Sequence, residues 1–98
     1  MITFEIKLKV KEGKAASVKK QFNERFAPAI GHQSGFYNAL LLEQFKDKKD
    51  YMMLLFFDTE EQRVDWINSS EHDPAWESIA ELCSSFTAKG YDIVDKVR

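Results

Sequence analysis

Apolar and polar residues alternate strictly over residues 2–11, "ITFEIKLKVK". Ile2, Phe4, Ile6, Leu8 and Val10 fall on one side, and Thr3, Glu5, Lys7, Lys9 and Lys11 on the other, the pattern of a half-buried strand. Gly13 ends it. From about Lys14 to Phe26 the period changes: Ala15, Val18, Phe22 and Phe26 recur at three- and four-residue steps, which makes one apolar helical stripe. Pro28 disfavours helix at Ala27 and closes that element. "GHQSG", Gly31–Gly35, reads as a loop. Residues 36–45 read as a second strand, "KDKKD" as a charged turn and residues 51–58 as a third strand. Thr59 with Gln62 forms a capping-box pattern that opens a short helix through about Asn68. Ser70 with Asp73 resembles a second box, and Pro74 suits a first turn. The spacing then predicts a helix from about Glu71 to Ser85 that buries Trp76, Ile79, Ala80, Leu82, Cys83 and Phe86. After Gly90, residues 91–97 read as a closing strand.

The order β-α-β-β-α-α-β is a ferredoxin-like α+β plan over a single domain, residues 1–98: an antiparallel four-stranded sheet with helices on one face. One strand resists that plan. A sheet with one wet face should alternate, yet the third strand is apolar on both sides. Tyr51, Met53, Leu55 and Phe57 lie opposite Met52, Leu54 and Phe56. In the second strand, Ala39 and Leu41 lie opposite Leu40 and Leu42. A patch of that size is rarely left in water. A second copy packed sheet to sheet would cover it, so the pattern predicts a homodimer that closes a dimeric α/β barrel.

Composition narrows the function classes. A 98-residue monomer buries only roughly 60–65% of its unfolded surface, which also favours association. The net charge of -2 argues against a nucleic-acid partner. The lysine cluster at Lys7, Lys9, Lys11 and Lys14 is interleaved with Glu5 and Glu12, as on a solvated face. The single cysteine, Cys83, reads as a small core residue of a cytoplasmic protein. Neither a secretory leader nor an apolar run of the ~20 residues that span a bilayer is visible. The two histidines, His32 and His72, lack metal-site spacing, so neither metal nor cofactor is implied.

The strand–helix pair "KEGKAASVKKQF", the strand "SGFYNALLL", the block "YMMLLFFDTEEQRVDWINSSEH" and the closing "YDIVDKV" together resemble the antibiotic biosynthesis monooxygenase family over nearly the whole chain. The resemblance implies a homodimer with a pocket in each protomer between sheet and helices. It also implies cofactor-independent oxygenation of an aromatic or quinol-like small molecule. A non-catalytic dimeric module that binds a small ligand, or serves in stress or regulation, is the alternative. The family's heme-degrading branch carries an asparagine on the first strand, a tryptophan ending the second helix and a heme-ligating histidine ten positions later. Trp66 matches the tryptophan, but the other two positions hold Lys7 and Trp76, which speaks against heme degradation.

The candidate site follows from placement. Val64 and Ile67 share a helical face that Trp66 does not extend, so Trp66 is the candidate pocket wall. Trp76 heads its helix stripe and is expected in the core. His72, in the first turn of the last helix and flanked by Glu71 and Asp73, is the candidate proton acceptor. Glu5 and Lys7, on the polar face of the first strand, are candidate ligand contacts facing the barrel interior or its rim, with Lys7 as charge partner. Asn38 could add a hydrogen bond, as could Tyr37 and Tyr51. His32 reads as solvated.

Overall fold

A computed structural model describes residues 1–97. Strands β1 (Ile2–Val10), β2 (Phe36–Glu43), β3 (Asp50–Phe57) and β4 (Cys83–Asp92) form one antiparallel sheet in the order β2-β3-β1-β4. Helical segments α1 (Ala15–Gln21), α2 (Ala27–Gly31), α3 (Glu60–Asn68) and α4 (His72–Ala80) cover one face of it. The result is the expected ferredoxin-like α+β arrangement. The core is the layer between sheet and helices: Ile6, Leu8 and Val10 of β1 and Tyr51, Met53, Leu55 and Phe57 of β3 meet Val18, Phe26, Ile30, Trp66 and Ile79.

Pro28 does not end the first helix. A wide π turn, Phe22–Phe26, joins α1 to α2, in which Pro28 occupies the first turn. The Ala27 N–H reaches back to the Phe22 carbonyl. That register slip is the kind of irregularity that lets a helix absorb a residue without a backbone donor. It also brings Phe26 and Ile30 inward, at 1% and 0% exposure.

The C-terminal third differs most from the sequence expectation. The last helix stops at Ala80, and the closing strand begins at Cys83 rather than Tyr91. The cause is β1. Its nine residues need a partner along their outer edge, and the pairing runs from Val10 opposite Cys83 to Ile2 opposite Asp92. Ser84, Ser85, Phe86 and Thr87, weak helix formers, go to the ladder. Phe86 therefore belongs to the sheet, and Ile93, Asp95 and Val97 lie beyond its end. Cys83 is buried, its thiol 3.5 Å from the Ile79 carbonyl, and burial raises its pKa.

Candidate functional site

A cavity of about 150 Å³ lies between the sheet and the helices. Phe4 and Ile6 of β1, Leu55 of β3 and Phe86 and Ala88 of β4 form its floor. Phe26, Arg63, Trp66, Ile67, His72 and Trp76 enclose it from the helix side. Small residues on β4 make the room: Ala88 stands opposite Ile6 and Gly90 opposite Phe4. A Cβ at Gly90 would come within 3.3 Å of the Phe4 ring.

The corner between α3 and α4 sets the aromatic walls. The Thr59 hydroxyl caps α3 by accepting from the Gln62 N–H at 3.2 Å. Trp66, near the end of that helix, presents edge-to-face contacts to Phe26 at 5.9 Å and to the His72 ring at 5.0 Å. Trp76, one turn into α4, meets Phe86 edge-to-face at 5.0 Å. The burial of the two indoles is the reverse of the expectation. Trp66 is 1% exposed and belongs to the core, whereas Trp76 is only partly buried. Val64 and Ile67, the apparent stripe of α3, are 40% and 37% exposed. One very large side chain outweighs two medium ones in choosing which helix face turns inward. Both indoles nevertheless line the cavity.

The expected Ser70–Asp73 capping box is absent. Glu71 takes the N-cap position without a side-chain bond, and the Asp73 carboxylate engages the His72 ring instead, Oδ1 to Nδ1 at 2.9 Å. A carboxylate only accepts, so in the neutral imidazole Nδ1 carries the proton and Nε2 the lone pair. The His72 side chain is 18% exposed and lines the cavity. Glu71 turns away to His32 at 2.8 Å and Gln33 at 3.2 Å, so the loop histidine is tied down rather than simply solvated.

Of the residues singled out from sequence, Trp66 and His72 come together. Glu5, Lys7 and Asn38 do not join them. They lie on the opposite, open face of the sheet, in register with Leu54, Met52 and Phe56. There Lys7 is exposed and 4.0 Å from Glu5. Tyr37 is 65% exposed. Tyr51 is buried, and its hydroxyl donates to the Glu43 carboxylate. That bond, with Lys48 and Lys19 nearby, holds Glu43 below the usual carboxylate range. Burial and the same carboxylate push Tyr51 up to about 12. Among the described residues no three His, Cys, Asp or Glu side chains converge as metal ligands, and no helix is long and apolar enough to cross a membrane.

Arg63 escaped the sequence reading. Its side chain is 12% exposed, its guanidinium lies 3.9 Å from the centroid of the Phe4 ring, and it lines the cavity. The available signal was its spacing, three residues before Trp66 and so on the same helical face.

The sequence profile of the antibiotic biosynthesis monooxygenase family matches residues 1–78. No curated protein matches the chain. Among solved structures, SnoaB, a cofactor-independent oxygenase from Streptomyces nogalater, superposes with a TM-score of 0.88 at 17% identity, covering 98% of this chain and 95% of its own. A candidate antibiotic biosynthesis monooxygenase from Deinococcus radiodurans gives 0.85 at 13% identity, covering 100% and 97%. MhuD, in a mutant with two manganese protoporphyrin IX molecules bound per active site, gives 0.79 at 19% identity, covering 100% and 99%.

Proposed function

The chain belongs to the antibiotic biosynthesis monooxygenase family, and from that premise we propose that it is a cofactor-independent monooxygenase acting on an aromatic or quinol-like small molecule. One observation carries the reading: an imidazole held by Asp73, with its Nε2 lone pair available, on the wall of a mostly aromatic and aliphatic cavity. In the proposed reaction Nε2 takes the acidic proton of the substrate. The resulting anion is electron-rich and reduces O₂ itself; one oxygen atom enters the product and the other leaves as water. The protein supplies the base and an aromatic-lined site. Asp73 fixes the tautomer and stabilises the imidazolium that forms. Oxygen uptake with a panel of quinols and hydroxyanthrones tests this. The expected result is uptake with at least one substrate and loss of most of it in His72→Ala. A folded protein that consumes no oxygen with any of them is the non-catalytic ligand-binding module.

The reading includes a homodimer built on the open sheet face. The protein is a slab, 35 × 34 × 20 Å. It exposes 6405 Å², against about 5,800 Å² for a compact monomer of its mass. Leu40 and Leu42, at 42% and 41% exposure, sit in register with Leu54 and Met52 on that face. Glu5, Lys7 and Asn38 border the same patch, so a ligand role for them would lie inside the barrel that the second copy closes. Sedimentation showing a monomer at micromolar concentration would remove the dimer.

MhuD supplies the one observation in favour of a tetrapyrrole. Against it stand a cavity of about 150 Å³, far smaller than a porphyrin, and Trp76 packed on Phe86 at the position where a ligating histidine is wanted. Hemin titration is expected to give weak binding and, with reductant, no product. A stoichiometric Soret shift abolished by His72→Ala would reverse that.

A further inference from the structure

Two polar side chains face this cavity, and only one of them serves as a base. Arg63 is the other. Glu60 occupies its Nε and Nη2 donors, and Nη1 has no hydrogen-bond partner among the described residues. The guanidinium is nearly nine-tenths shielded and stacked on the Phe4 ring, and its remaining donor edge is free for a ligand in the cavity that Arg63 lines. The space beside it is small. Its volume of about 150 Å³ is that of a cavity that holds one benzene ring.

We propose that the cavity selects a single-ring phenol or quinol and that Arg63 holds its deprotonated oxygen. The inference rests on the aromatic-substrate reading and narrows it to one ring with one ionised hydroxyl. The step is a proton transfer: the phenolic O–H bond breaks, its electron pair stays on oxygen beside Nη1, and the proton passes to His72 Nε2. Arg63 thereby takes the charge-partner role that sequence assigned to Lys7, which stands on the other face of the sheet. A fused three-ring substrate does not fit unless the α3–α4 corner moves.

The probe is 4-nitrophenol, whose ionisation is read directly by its visible absorbance. In the wild-type protein the bound probe is expected to ionise about one pH unit lower than in solution, a tenfold shift of the size a neighbouring guanidinium produces. Arg63→Gln should abolish the shift and Arg63→Lys should keep part of it. Glu60→Gln, which leaves the guanidinium and removes its competitor, should enlarge it. A hydroxyanthracene should bind at least tenfold more weakly than 4-nitrophenol. Unshifted ionisation in the wild type, equal shifts in wild type and Arg63→Gln, or equal binding of the three-ring compound would each overturn the proposal. Turnover is not needed for this test. Ionised probe in a protein that consumes no oxygen would refute the oxygenase reading alone; oxygen uptake without the shift would refute this inference alone.

Discussion

On the helix-covered side of β3, Tyr51, Met53, Leu55 and Phe57 are at most 3% exposed; one residue along, Met52, Leu54 and Phe56 on the open side remain partly in solvent. The two rows have nearly the same hydrophobicity. They differ in what covers them. The covered side borders helices that bring aromatic rings, an imidazole and a guanidinium to one cavity. Among the described residues no helix covers the open side, which carries the charges of Glu5, Lys7 and Lys9 on β1, Asp50 on β3 and Lys89 on β4. Hydrophobicity alone therefore does not say which face folds the monomer and which is left open. The helices decide that, and they also bring an imidazole and a guanidinium to a cavity on the covered face.

Leu54 and Leu55 give the sharpest break of this comparison. Leu55→Asp puts a carboxylate into a site 3% exposed. It is expected to cost about 5 kcal/mol or more, a cavity together with an unpaired buried charge, and to unfold a small domain of ordinary stability. Leu54→Asp should cost the monomer about 1 kcal/mol while shifting sedimentation toward the monomer. Circular dichroism and sedimentation of the pair separate fold from assembly. Equal unfolding by both would mean that the open face is also part of the monomer's stability.

The two tryptophans divide the covered face itself. Trp66→Ala should cost about 3–5 kcal/mol, the range for an emptied aromatic core site. Trp76→Ala, at a partly buried site, should cost about half as much. In single-tryptophan variants acrylamide should quench Trp76 readily and Trp66 poorly. Similar quenching of both would erase the distinction between a core indole and a rim indole.

Much of this was legible in the sequence because it follows from period. The alternation of residues 2–11, the two-sided apolar run of residues 51–58 and the Thr59 cap are local signals, and the sheet, helix layer and capped corner follow from them. The largest misreading has a non-local cause. Residues 76–86 carry a good helical stripe, but the outer edge of β1 requires Cys83–Asp92 as its partner, and the ladder prevails over local periodicity. Pro28 marks a helix end by local rules, but a π turn absorbs it. The site was half legible. His72 and Trp66 came from their position at a corner and from resemblance. Arg63 looks like any surface arginine until Phe4, nearly sixty residues earlier, is placed beneath it. Glu5 and Lys7 were read correctly as a polar strand face. Which face borders the cavity depends on where the helices pack.

The smallest effect tests how the covered face accommodates a polar group at the end away from the cavity. Tyr51 is 2% exposed, and its hydroxyl donates to Glu43. The folded protein holds the phenol proton up to about 12, against an ordinary value of 10.0. Between those two pH values the unfolded chain has released the proton and the folded chain has kept it. Stability from this group is therefore fully present below about pH 10 and is lost as pH rises toward about 12. Glu43 is shifted the other way: its contribution is present at neutral pH and lost as pH falls through its lowered pKa. Tyr51→Phe keeps the buried ring, removes the tyrosine linkage and weakens that of Glu43, which keeps Lys48 and Lys19. Its urea stability should lie slightly below wild type at pH 7, where the hydrogen bond is missing, and the deficit should shrink as pH is raised from 10 to 12. Lysine titration is common to both proteins and cancels in the difference. Stability curves that stay parallel over that window would mean that the Tyr51–Glu43 bond is not formed, and that the sheet's buried face ends before Tyr51 rather than after it.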